Sequence, residues 1–226
     1  MPNFDPLTYR YSSRRNVVYA KNGVCCTSVP LGAQVGLDVL KNGGNAVDAA
    51  VAMAGAMPLL EPTGNGLGSD CFALVWIEKE KKLYGLNASG VAPMALSADE
   101  VRAKGFSEVP EEGWIPTMVP GAPTGWAALN RRFGTKPLSE LFAPAISYAE
   151  NGYAVPVNVG KLWARDSRRI ARVMAQDPAP YEYWWKSFIK PDGTPYRAGE
   201  LFHFPTMPRR CALSPRRTAR AITAAR

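Results

Sequence analysis

Histidine is almost missing from this sequence: His203 stands alone among 226 residues. With one imidazole and no cysteine beside it, the spaced Cys and His ligand sets of a zinc site cannot be assembled, so no metal is expected. Four cysteines, two of them adjacent at Cys25 and Cys26, form neither a metal-ligand spacing nor a disulfide framework. They read as structural thiols of a reducing compartment. The N-terminus, MPNFDPLTYRYSSRRN, has no apolar core of the kind a signal peptide carries, and a cytoplasmic location is expected. No membrane span is expected either, because the apolar run starting at Ala46 is about 15 residues against the roughly 20 that cross a bilayer. No Gly-Lys-Ser/Thr occurs and no cofactor fingerprint emerges.

Acidic residues are scarce in one place only. The net charge is +8, which would invite nucleic acid, but residues 207–226 hold six arginines and no acid. That leaves 21 basic against 19 acidic residues, a net +2, in residues 1–206. The body is close to neutral and no nucleic-acid partner is expected for it. The composition, 46% hydrophobic with 20 Gly and 20 Pro, is that of a globular chain with a sizeable core.

What is present is organised around residues 31–95. Val35, Leu37, Val39 and Leu40 give an apolar helix that Asn42-Gly43-Gly44 stops. Asn45 is placed to cap the next helix, with Asp48 in its first turn. From Ala46 to Met57 that helix is nearly all small and apolar, which predicts a buried helix under a sheet at the centre of a domain. Gly64-Asn65-Gly66-Leu67-Gly68 follows, in a loop whose glycines predict unusual backbone angles or close approach. The order of elements favours a structural turn near a site over a phosphate cradle. This loop leaves a helix and enters a strand, whereas nucleotide loops run from a strand into a helix. Cys71–Glu78 and Lys82–Asn87 read as a hairpin across Lys79-Glu80-Lys81. Upstream, Val17–Ala20 and Val24–Ser28 read as two short strands around Lys21-Asn22-Gly23.

Downstream, Ser97 before Asp99 and Glu100 marks a capped helix start. Asp99 with Glu100, and Glu111 with Glu112, are neighbours whose side chains diverge, so solvated surface is preferred to acid–base pairs. Thr124–Phe133 and Leu138–Asn151 are predicted helices, Pro144 starting or bending the second. Val157–Ala175 is a third, with Arg165, Arg168, Arg169 and Arg172 on a solvated polar face that includes Asp166. Tyr181, Tyr183, Trp184 and Trp185 form an aromatic cluster, either core or a subunit contact.

Taken together, G-G-N-A-V-D-A-A-V-A at 43–52, E-P at 61–62, G-N-G-L-G-S-D-C-F-A-L at 64–74 and L-Y-G-L-N-A-S-G-V-A-P at 83–93 resemble the large subunit of the gamma-glutamyltransferase (glutathione hydrolase) family. Val119-Pro120-Gly121, Gly125-Trp126, Arg132-Phe133-Gly134 and Leu141–Ile146 extend the likeness to about residue 165, and more weakly to about 205. The resemblance implies an α+β fold, an N-terminal nucleophile hydrolase-like αββα sandwich, incomplete here. It divides the chain into a large-subunit-like region, 1–206, and an Arg-rich tail, 207–226. The tail reads like a GC-rich gene translated out of frame, and a frameshift or truncation near Thr206 is expected.

The resemblance further implies a precursor that cuts itself, freeing an N-terminal threonine that attacks a γ-glutamyl amide with its own amine as base. No threonine here precedes a histidine as the family's nucleophile does, so no catalytic residue is assigned, and the partner is a small subunit missing from this chain. A serine triad would depend on His203 alone. The family's large subunit supplies an arginine for the substrate's α-carboxylate just before an Ala-Pro. Counting back from Ala92-Pro93 places Ser89 there, which cannot make that ion pair. The substrate class implied is a γ-glutamyl or related amide. A cephalosporin-acylase-like amidase is the alternative within the fold, and a non-catalytic binding protein the alternative outside it.

Overall fold

A computed structural model describes residues 17–204. The expected Arg-rich tail, and the break near Thr206, lie outside the described residues.

Two helices joined by a tight turn begin the fold. Helix α1 (Pro30–Lys41) starts on a proline, whose missing N–H is no loss in a first turn. Gly43, at φ +81°, makes the turn that follows. Helix α2 (Ala46–Leu60) carries the expected cap in full: the Asn45 side chain accepts from Asp48 N and the Asp48 carboxylate accepts from Asn45 N. Gly32 and Gly36 let the two helices close on each other, since a Cβ on either would lie 2.9 and 2.7 Å from the sulfurs of Met57 and Met53. Ala52, Ala56, Leu59 and Leu60 are completely shielded from water.

Strands β1 (Cys71–Ile77) and β2 (Lys82–Ala88) form the expected hairpin, antiparallel, with Cys71 opposite Ala88 and Ile77 opposite Lys82. Lys81, left-handed at φ 52°, closes the turn. Short helix α3 (Ala98–Ala103) is capped by Ser97, which accepts from Glu100 N. Helix α4 (Ala122–Phe133) packs Trp126 and Leu129 inward and lies beneath the hairpin. Then come α5 (Leu138–Leu141) and α6 (Ala143–Asn151), separated where Pro144 removes a backbone donor. The remaining elements are β3 (Tyr153–Ala154), α7 (Val157–Met174), α8 (Glu182–Phe188) and β4 (Leu201–Phe202), the last antiparallel to β3.

The core is continuous from α2 through α4 and α6 to an aromatic nest of Trp163, Phe188, Tyr196 and Phe202. Tyr153 ties the halves together by donating 2.6 Å to Leu59 O, one of the carbonyls left free at the end of α2. Burial pushes its phenol well above the usual range.

Four expectations are corrected. Val17–Ala20 and Val24–Ser28 are not strands: Val18, Tyr19 and Val24 are exposed, and a β-rich pair without a third strand gains too little to form. Thr27 and Cys25 instead lean on α1 beside Gly32 and Gly36. The main neighbours of α2 are helices α1, α4, α5 and α6 rather than a sheet. Leu138–Asn151 is two helices, not one, with Pro144 in the first turn of the second, the starting role expected of it. Asp166 is buried while the neighbouring arginines of α7 face solvent, and it accepts from Arg165 Nε at 2.9 Å. Of the aromatic cluster expected as core or subunit contact, Trp184 packs on Phe188 against the core, while Tyr183 is exposed.

Candidate functional site

Ser89 directly follows β2, and three segments meet around the end of that strand. The first is the glycine loop, anchored by Glu61: its carboxylate accepts from Ser28 Oγ at 2.7 Å and Asn65 Nδ2 at 2.9 Å. Its carbonyl accepts from Gly64 N and Asn65 N, both at 3.1 Å. The second is the first turn of α4. Gly121 N and Ala122 N both donate to Ser69 O, at 3.1 and 2.9 Å, so these helix-start donors are satisfied by protein and not offered to an anion. The third is the segment before α4, where Val119 N donates to Val91 O at 3.0 Å.

The crowding expected at Gly64, Gly66 and Gly68 is found at other glycines. Gly68 has open space where a side chain would go, and none of the three has positive φ. Gly90, at φ +79°, would place a Cβ 2.0 Å from Val119 O, and Gly121 would place one 2.1 Å from Ala88 O. Gly125 lets α4 approach Ala88 and Cys71. Each of these glycines belongs to the quoted resemblance, and only the tertiary contacts explain them.

Ser89 itself is half-buried. Its amide donates to Asn87 Oδ1 at 3.0 Å and its hydroxyl to Gly90 O at 3.2 Å. Beside the junction is a cleft of about 250 Å³ with an apolar floor of Ala54, Met57 and Trp126 and a polar rim of Asn65, Ser69 and Asp70. Burial, reinforced by the Asp70 carboxylate, pushes the Cys71 thiol up, which keeps it protonated and unreactive at neutral pH.

Other expected site features are placed apart. His203 is exposed, its ring over Gly152, with Nδ1 3.4 Å from Glu150 O. Asp99 pairs with Arg102 on the surface. Among the described residues no group of three His, Cys, Asp or Glu could hold a metal, and no helix is long and apolar enough to cross a membrane. Cys25, Cys26 and Cys71 are free thiols. Glu112, expected on solvated surface, departs from that reading. It accepts from the Tyr181 hydroxyl and from the Arg169 guanidinium, and the first of these chiefly holds its carboxyl below the usual range.

Sequence reasoning also undervalued Asp48, which is fully buried. Beyond its cap, the carboxylate accepts from Thr135 Oγ1 at 2.6 Å, Thr135 N at 3.0 Å and Lys136 N at 3.3 Å. Burial pushes its pKa up, but these bonds more than offset that and hold it below the ordinary value. Gly134 is required here, since a Cβ would lie 2.7 Å from Asp48 Oδ1. The Asn45-x-x-Asp48 spacing signalled the cap; nothing local signalled the partners near residue 135.

Residues 32–210 match the gamma-glutamyltranspeptidase family. The chain belongs to that family. Among curated relatives, the glutathione hydrolase proenzyme of Bacillus subtilis (strain 168) is 29% identical over 195 residues, covering 84% of this chain and 31% of the relative. Among solved structures, the cephalosporin acylase from Bacillus halodurans is 48% identical with a TM-score of 0.83, covering 97% of this chain and 39% of that one. The Helicobacter pylori gamma-glutamyltranspeptidase is 28% identical with a TM-score of 0.78, covering 87% and 55%. The chain thus spans about 31% of the length of the Bacillus subtilis relative. As a gamma-glutamyltranspeptidase-family chain it has the α+β, N-terminal nucleophile hydrolase fold in part: the described residues hold helices and two two-stranded sheets, not a closed sandwich.

Proposed function

We propose that this chain is the N-terminal, large-subunit part of an enzyme that transfers or hydrolyses γ-glutamyl amides. The nucleophile is an N-terminal threonine carried by a small subunit outside this chain. Its hydroxyl adds to the amide carbonyl while its own amine, with a pKa of about 8, takes the proton and passes it to the departing amine. The acyl group is then released to water or to an acceptor amine. The chain's own contribution is the scaffold around Ser89 and the cleft beside it. The observation that carries this reading is the family match over residues 32–210. The apolar outer face of the hairpin, where Phe72, Leu74 and Trp76 are each more than half exposed, supports it as the surface a further layer would cover. The test is turnover of a γ-glutamyl anilide by the protein made from the intact locus, set beside the 226-residue chain. Turnover by the former and none by the latter is expected, and activity of the rigorously purified chain alone would overturn the division of labour.

A cephalosporin-acylase-like amidase is the second reading, favoured by Ser89 in the position implied for the carboxylate-binding arginine. The 48% identity to the Bacillus halodurans acylase points the same way. A panel of γ-glutamyl and glutaryl amides separates the two. Ser89→Arg should shift preference toward γ-glutamyl substrates by about tenfold, the worth of one good charge-assisted pair.

A further inference from the structure

Between α3 and α4, residues 104–121 form a strap without regular secondary structure. Hydrophobic burial does little to hold it: Phe106 is 40%, Val109 53%, Trp114 62% and Met118 42% exposed. What holds it is a polar cluster drawn from distant parts of the chain. Glu112 accepts from Arg169 of α7 and from the hydroxyl of Tyr181, and the same hydroxyl accepts from Gly113 N at 3.2 Å. A turn closed by Thr117 N donating to Trp114 O at 3.1 Å follows directly. The next residues are those that meet the site: Val119 bonds Val91, Gly121 bonds Ser69, and the Val119 carbonyl presses on Gly90. Anchor and site contact are separated by one closed turn, so freedom at one end is passed to the other.

We propose that Glu112 is a positioning residue: by gathering Arg169 and Tyr181 it anchors the strap, and the strap holds Ser89–Val91 in the geometry that substrate meets. The last clause rests on the proposed function; the anchoring does not.

Amide hydrogen exchange on the full chain tests it. Glu112→Ala should speed exchange about tenfold at Gly113, Val119 and Gly121, as expected for loss of a charge-assisted hydrogen bond. Tyr181→Phe should do the same, so the outcome does not hang on one variant's folding. Glu112→Gln keeps an oxygen facing both donors and should restore most of the protection. Faster exchange confined to Gly113, with Val119 and Gly121 protected as in the parent, overturns the proposal. In the active protein, Glu112→Ala should raise KM for the amide with kcat little changed, and a fall in kcat alone would also overturn it. Absence of amide turnover in the protein made from the intact locus would count against the proposed function only, because exchange in the 226-residue chain still decides the anchoring.

Discussion

Leu59, on α2, is completely shielded from water, whereas Leu74, in the middle of β1, is 78% exposed. Both sit in predominantly apolar segments. The helix is enclosed by α1, α4, α5 and α6, all supplied by this chain, and its one buried charge has donors from two segments, at Asn45 and at Thr135–Lys136. The hairpin has only one face served. Ala73 and Val75 pack against the core, while Phe72, Leu74 and Trp76 point the other way with nothing among the described residues over them. Strand alternation makes that unavoidable, because successive side chains face opposite sides and a single helix layer covers only one. The difference separates what this chain completes by itself from what the proposed second layer would complete.

That contrast can be broken most severely at Leu59. Leu59→Ala should cost about 3 kcal/mol of unfolding free energy, the usual toll of a core truncation, and urea denaturation measures it. If the cost were negligible, the α2 core would not be the stable centre of the chain. Asp48→Asn should follow at about 2–3 kcal/mol, since it puts an amide where Asn45 N, Thr135 N, Thr135 Oγ1 and Lys136 N need an acceptor. The pH dependence sharpens this case. A carboxyl whose folded pKa lies below its unfolded value of about 3.9 contributes stability that is fully present above that value and is lost as pH falls through the folded pKa. The parent should therefore lose stability on acidification below about pH 4 more steeply than Asp48→Asn. Equal slopes in the two proteins would show that Asp48 is not the group responsible.

At the junction beside Ser89, Gly90→Ala should cost about 2 kcal/mol, from positive φ and from overpacking against Val119 O. The smallest expected change is on the hairpin's outer face. Leu74→Lys should alter stability by no more than about 0.5 kcal/mol while reducing self-association of the chain, whose described residues leave strand edges open and the hairpin's apolar outer face uncovered. Light scattering checks the second part. A loss of stability comparable to Leu59→Ala would mean that the face is already covered.

Local signals were enough for much of this architecture. The Asn45 cap, the small-residue run of α2, the Cys71–Ile77 and Lys82–Ala88 hairpin, the Ser97 cap and the proline break at Pro144 were all legible because capping, helical period and strand alternation are properties of adjacent residues. The same logic misled at Val17–Ser28, where β propensity had no sheet to join. Family membership was legible too, from the joint pattern of residues 43–93.

The sequence by itself determined the long helices and the central hairpin, the caps and turns that stop several of them, and the family to which the chain belongs. Tertiary structure alone decided why Gly90, Gly121 and Gly134 must be glycine, why Asp48 stays charged in the core, and why Glu112 is tied to Arg169 and Tyr181. The reason is distance along the chain. Thr135 is 87 residues from Asp48, and Tyr181 is 69 from Glu112. No periodicity records which remote groups will share a few ångströms of buried space once the helices have packed.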